Sequence, residues 1–236
     1  MKSMMQSPNL IDIFKATCSR DQGALKWGNP EPWVHAELFA EFNRRSGNSG
    51  WIPFKQEVPY LTYYPVQLPK PSNHDWKSIG AVKWIDLCLR STDSDHWCWF
   101  EFKVRHIGLE ERANKAALDA RNAFCKDIVA LLGFDTNATA DEWRDPDSPT
   151  AAYWFESELR PHAEELRLGN HHFISAFLQL DGDLNDEIWN REALIKQVNA
   201  WKEQRCKHRG EVFRASDNLK ISSNQVGNHW LISVEC

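Results

Sequence analysis

The chain has 236 residues, 28 Lys and Arg against 33 Asp and Glu for a formal net charge of −5, 42% hydrophobic residues and 12 Trp. That length and balance fit a folded domain with a substantial core, and they exclude a disordered or fibrous chain. The acidic balance and a pI near 6.0 exclude an overall basic field, so any contact with nucleic acid must come from a local patch. The six cysteines, at 18, 88, 98, 125, 206 and 236, have neither C-x-x-C nor metal-finger spacing. The opening MKSMMQSPNL lacks the apolar region of a signal peptide, and no later run approaches the roughly 18 apolar residues of a membrane span. A cytoplasmic protein with no membrane partner is the expectation.

In chain order, LIDIFKATC reads as a short helix of no evident role. Asn29-Pro30-Glu31-Pro32 reads as a helix start, because Asn caps well and Pro fits the first turn. The helix is predicted from about Pro32 to Arg45, stopping at Gly47, with Val34, Leu38, Phe39 and Phe42 as its apolar stripe and Glu37 at the border. Glu37 is placed to point along the sheet; taken alone it reads equally well as a solvated glutamate. Trp51 to Leu61 reads as a strand whose prolines at 53 and 59 suit an edge. The proline-rich segment from Tyr63 to Lys77 is an irregular loop, in which His74 is read as solvated rather than as a metal ligand.

Ala81 to Val104 contains two runs rich in aromatic and aliphatic residues around a polar STDSD segment, the pattern of an antiparallel hairpin. Alternation puts Ile85, Leu87 and Leu89 on one face and Trp84, Asp86 and Cys88 on the other. On the second strand Phe100, Phe102 and Val104 share a face, with Trp97, Trp99, Glu101 and Lys103 opposite. If the turn is centred on Asp93-Ser94, positions 86 and 101 fall opposite each other, with Cβ atoms roughly 5 Å apart.

Beyond the hairpin, Gly108 and Glu110-Glu111 open a helix predicted to reach Leu132 and stop at Gly133. Its polar face carries Arg112, Lys115, Arg121 and Lys126, which with Lys103 and Arg105 form the candidate phosphate-contacting surface. Interleaved Glu111, Asp119 and Asp127 leave a merely solvated face equally open. Residues 134–150 are a polar insertion, and Ala151 to Leu168 is another helix. His171 to Leu180 is a buried strand, where adjacent histidines must face opposite ways and so do not form a metal pair. Asp181, Asp183 and Asn185 mimic an EF-hand loop, but Asp186 stands where that loop requires Gly, so a capped strand-to-helix turn is preferred. A helix from about Asp186 to Lys207 and short strands within Val212 to Cys236 complete a single domain. Its core spans about residues 30–132 and 170–236, with 134–169 inserted.

Two facing carboxylates repel unless they share a proton or hold a cation between them. Their oxygen donors suit Mg²⁺ (or Mn²⁺), which takes one or two protein carboxylates and completes its shell with water and substrate phosphate. Asp86, followed across the hairpin by Glu101-Phe102-Lys103, resembles the signature of the PD-(D/E)XK nuclease superfamily. The apolar run WIDLCL, the strand FEFKV and the helix WVHAELFAEF resemble its surroundings, over about residues 30–132. Ile85 stands where that pattern's name has Pro.

The resemblance implies an α/β fold with a restriction-endonuclease-like core: a central mixed β-sheet flanked by helices, here with a C-terminal α/β elaboration. It implies Asp86 and Glu101 as metal ligands, with the Phe102 backbone carbonyl as a further ligand and Glu37 in support. Lys103 would be catalytic, and nucleic acid, foremost DNA, the substrate. A homodimer is plausible because a double-strand break calls for two sites. A second hypothesis is a nucleic-acid-binding or protein-interaction module that keeps the fold without chemistry.

Overall fold

A computed structural model of the chain describes residues 8–20, 25, 30–59, 84–106, 113–133, 162–180, 182–209 and 213–236. Helices α1 (Leu10–Arg20) and α2 (Glu31–Ser49) precede strands β1 (Trp51–Pro59), β2 (Trp84–Ser91) and β3 (His96–His106). Then come α3 (Ala113–Leu132), α4 (Ala163–Leu168), β4 (Asn170–Leu180), α5 (Asp186–Trp189), α6 (Arg191–Arg209), β5 (Lys220–Val226) and β6 (His229–Glu235). The six strands form one mixed sheet in the order β1-β2-β3-β4-β6-β5. Only the β3–β4 pair is parallel, and α3 lies in the crossover that such a pair requires.

Helices cover both faces. On one, Phe14 of α1 and Val34, Leu38 and Phe42 of α2 pack on Leu87, Leu89, Phe100, Phe102, Ile174 and Leu178. On the other, Phe124 and Ile128 of α3, Trp189 of α5 and Val198 of α6 pack on Phe177, Ile232 and Val234. A third cluster beside the second gathers Ile85, Cys88, Trp97, Trp99, Leu131, Leu166 and Phe173. Nearly every residue along β3 and β4 is buried, and their side chains, alternating between the two faces, feed two layers at once, as expected of a central strand pair. Among the described residues no helix is long and apolar enough to cross a membrane.

The sequence-derived elements survive with adjusted ends. Helix α2 runs through Gly47 and stops at Gly50, whose φ of 69° supplies the left-handed cap. The expected helix over Asp186 to Lys207 is broken at Asn190, whose extended backbone and side chain cap α6 by accepting from the Ala193 amide at 2.8 Å. Asn185 of the EF-hand-like segment likewise caps α5, accepting from the Glu187 and Ile188 amides. β1 is an edge strand, as its prolines suggest, and its register slips between Pro53 and Lys55. His74, the start of the helix at Gly108 and residues 134–161 lie outside the described residues.

The two histidines of β4 do face opposite ways. His172 meets His96 and Trp51, whereas His171 lies between Trp99 and α4. The Trp99 indole N–H donates to His171 Nδ1 at 2.9 Å, so Nε2 carries the proton and donates to the Leu166 carbonyl at 2.7 Å. Burial pushes the His171 imidazolium down to about 4. The unfolded chain therefore binds a proton that the folded chain refuses. The contribution of His171 to stability should be full above pH 6.5 and fall by on the order of 2–3 kcal/mol as pH drops from 6.5 toward 4. Urea midpoints measured across that window should show the slope, and His171→Gln, which keeps a donor and an acceptor but does not titrate, should reduce it, leaving the part due to His172, whose imidazolium burial also lowers.

Candidate functional site

The hairpin register sets the site. β2 and β3 pair Arg90↔Trp97, Leu89↔Cys98, Cys88↔Trp99 and Leu87↔Phe100. This is the pairing expected of a turn centred on Asp93-Ser94, although the link is a four-residue loop, Thr92 to Asp95, rather than a two-residue one. The ladder stops at Leu87↔Phe100, one residue short of Asp86 and Glu101. There the Asp86 carboxylate takes the place of a strand partner: its Oδ2 accepts the Phe102 backbone N–H at 2.6 Å. Ile85 departs from the expected alternation at the same point, packing with Cys88 and Trp97 instead of with Leu87 and Leu89. β2 stays paired with β1 there, through Val58↔Ile85 and Pro59↔Trp84.

A strand residue points its N–H and C=O to the same side, so the Phe102 carbonyl also faces the gap beside Asp86. Across that gap the other Asp86 oxygen, Oδ1, lies 3.7 Å from His35 Nδ1 of α2. Glu101 belongs to the row of Trp97, Trp99 and Lys103 and is buried at 4% exposure. Lys103 Nζ sits 3.5 Å from Glu31 Oε1 of α2 and 3.5 Å from Asp127 Oδ2 of α3. Burial alone would depress this ammonium. The carboxylates of Asp127, Glu31, Glu101 and Asp86 outweigh burial and hold it well above the ordinary lysine range. Asp86 and Glu101 are thus each close enough to act on the Lys103 charge, with Asp127 and Glu31 as the nearest partners of the lysine.

Glu37 is elsewhere. Its carboxylate lies 2.9 Å from Arg20 and 3.6 Å from Arg44, beside the buried Glu41 that Arg20, Arg44 and Arg45 also engage. At about 100° per residue, Glu37 stands roughly opposite His35 on α2, so the helix cannot bring both to Asp86. His35 lies beside Asp86 instead, and Glu31 and Asp127, which the sequence reading did not assign to the site, meet Lys103.

Among the described residues, the candidate phosphate-contacting cations do not all share one face. Arg105 donates to Glu31 Oε2 at 2.6 Å. Lys115 and Lys126 are exposed on α3, and Lys126 Nζ caps the Trp201 ring of α6 at 4.4 Å. Arg121 is half-buried, about 120° around the helix from Lys115. Arg112 lies outside the described residues.

Carboxylates and a carbonyl are the donor types that a hard divalent ion takes, whereas the thiols of Cys88 and Cys98 are buried and held protonated by desolvation. Among the described residues no group of three or more His, Cys, Asp or Glu is arranged to hold a metal, as soft-metal and all-protein sites require. Mg²⁺ needs only one or two protein carboxylates. No family model, curated protein or solved structure matches the chain.

Proposed function

We propose that the chain is a metal-dependent nuclease of the PD-(D/E)XK kind, with a restriction-endonuclease-like core, acting on nucleic acid and foremost on DNA. The observation that carries this reading is the parting of β2 and β3 at Asp86, with Glu101 and Lys103 on the facing strand. Asp86, Glu101 and the Phe102 carbonyl would hold Mg²⁺ or Mn²⁺. A bound ion of this kind polarises a phosphate oxygen and lowers the pKa of a water. Asp86 is oriented for that duty by the Phe102 amide, which occupies one of its oxygens and leaves the other turned to the gap. Lys103, kept cationic by its carboxylate neighbours, cannot serve as a general base at neutral pH; it stabilises negative charge or orients the attacking water.

The test is incubation of the full chain with supercoiled plasmid, single-stranded DNA and RNA, with and without Mg²⁺. Cleavage of at least one substrate that requires Mg²⁺ is expected. No cleavage with either Mg²⁺ or Mn²⁺ would favour the non-catalytic module instead.

A further inference from the structure

We propose that Asp127 is a positioning residue for Lys103: it fixes the ammonium beside Glu101 from helix α3 without touching metal or substrate. This rests on the nuclease reading above. Asp127 occupies the sheet-facing stripe of α3, where Phe124 at i−3, Ala130 at i+3 and Leu131 at i+4 are buried and Ala123 at i−4 is half-buried. Asp127 itself is 9% exposed, and a carboxylate in such a place is costly unless a cation meets it. Lys103 of β3 meets it at 3.5 Å.

Glu31 closes the arrangement at 3.5 Å from the same Nζ, while its second oxygen is held by Arg105 at 2.6 Å. A lysine is a point charge on a flexible four-carbon stem. Anchoring it from the helix before the hairpin and the helix after it selects one position for the charge. The row Glu101-Lys103 then keeps a fixed spacing to the Asp86 gap, and misplacements of about 1 Å in such geometry can cost roughly 10²-fold in rate.

A double-substitution cycle with Lys103→Met tests this. Asp127→Asn should retain a cooperative melt, lower kcat roughly 10–100-fold and leave KM within about twofold, because an amide keeps the shape but not the charge. Combined with Lys103→Met it should be no slower than Lys103→Met alone, since both changes remove the same placed charge. Asp127→Glu should recover part of the rate, and it carries the same cycle if the Asn variant does not fold. Titration with Mg²⁺ should still raise the melting temperature of Asp127→Asn while failing to raise that of Asp86→Asn.

Wild-type kcat in Asp127→Asn, rate losses that multiply in the double variant, or loss of the Mg²⁺ response in Asp127→Asn would each overturn the assignment. If the wild-type chain cleaves no nucleic acid, the nuclease reading fails and takes this inference with it. Cleavage that depends on Asp86 but ignores Asp127 overturns this inference alone.

Discussion

Lys103→Met should lower the proposed phosphodiester cleavage by roughly 10²–10³-fold and stability by about 2–4 kcal/mol, the two losses having one electrostatic cause. The ammonium is shared by Asp127 and Glu31 at 3.5 Å each, with Glu101 and Asp86 contributing to its charge state. A thioether of similar length fills the space but leaves those carboxylates facing one another across a partly buried gap. Truncating one partner of such a group exposes the full desolvation cost of the others. Urea unfolding and initial cleavage rates on the same preparation check both halves. Lys103→Arg should retain the charge and most of the stability but place it wrongly, so its rate falls while its melt does not.

Trp99→Ala should have the largest effect on the fold, about 4–5 kcal/mol, enough to leave a domain of ordinary stability marginal. Trp99 is 0% exposed at the centre of the third cluster, stacked on Trp97 and His171. Its removal leaves a cavity between sheet and helices and strips His171 Nδ1 of its donor. Trp99→Phe keeps most of the ring and should cost about half as much; thermal melts at pH 7.5, where His171 is neutral, separate the two.

The hairpin and its pairing were legible because aromatic and aliphatic residues alternate on both runs. Any even-numbered loop centred on Asp93-Ser94 gives the same partners, so the four-residue link costs nothing in register. The parting of the strands at Asp86 was not legible, since it depends on a side-chain carboxylate capturing the Phe102 amide. The helix glutamate was misplaced for a geometric reason. The apolar stripe of Val34, Leu38 and Phe42 docks α2 on the sheet along its length, and Glu37, about 200° around the helix from His35, turns to Arg20 and Arg44 while Glu31 and His35 meet Lys103 and Asp86.

Asp127 had a readable signal. It sits three residues after Phe124 and four before Leu131, inside the stripe and not on the charged face with which its sequence neighbours Lys126 and Asp119 suggested grouping it. A lone acid in an apolar helical stripe implies a buried cation nearby. Which cation that is follows only from the docking of α3 on β3.

The central claim is that Asp86 and Glu101 act together on a phosphodiester beside Lys103. Its most direct test is Mg²⁺-dependent cleavage of plasmid, single-stranded DNA and RNA by wild type, Asp86→Ala and Glu101→Ala, each shown by circular dichroism to be folded. Cleavage by wild type that EDTA abolishes, with neither variant above background on the same substrate, is the expected result. Equal cleavage by all three would contradict it.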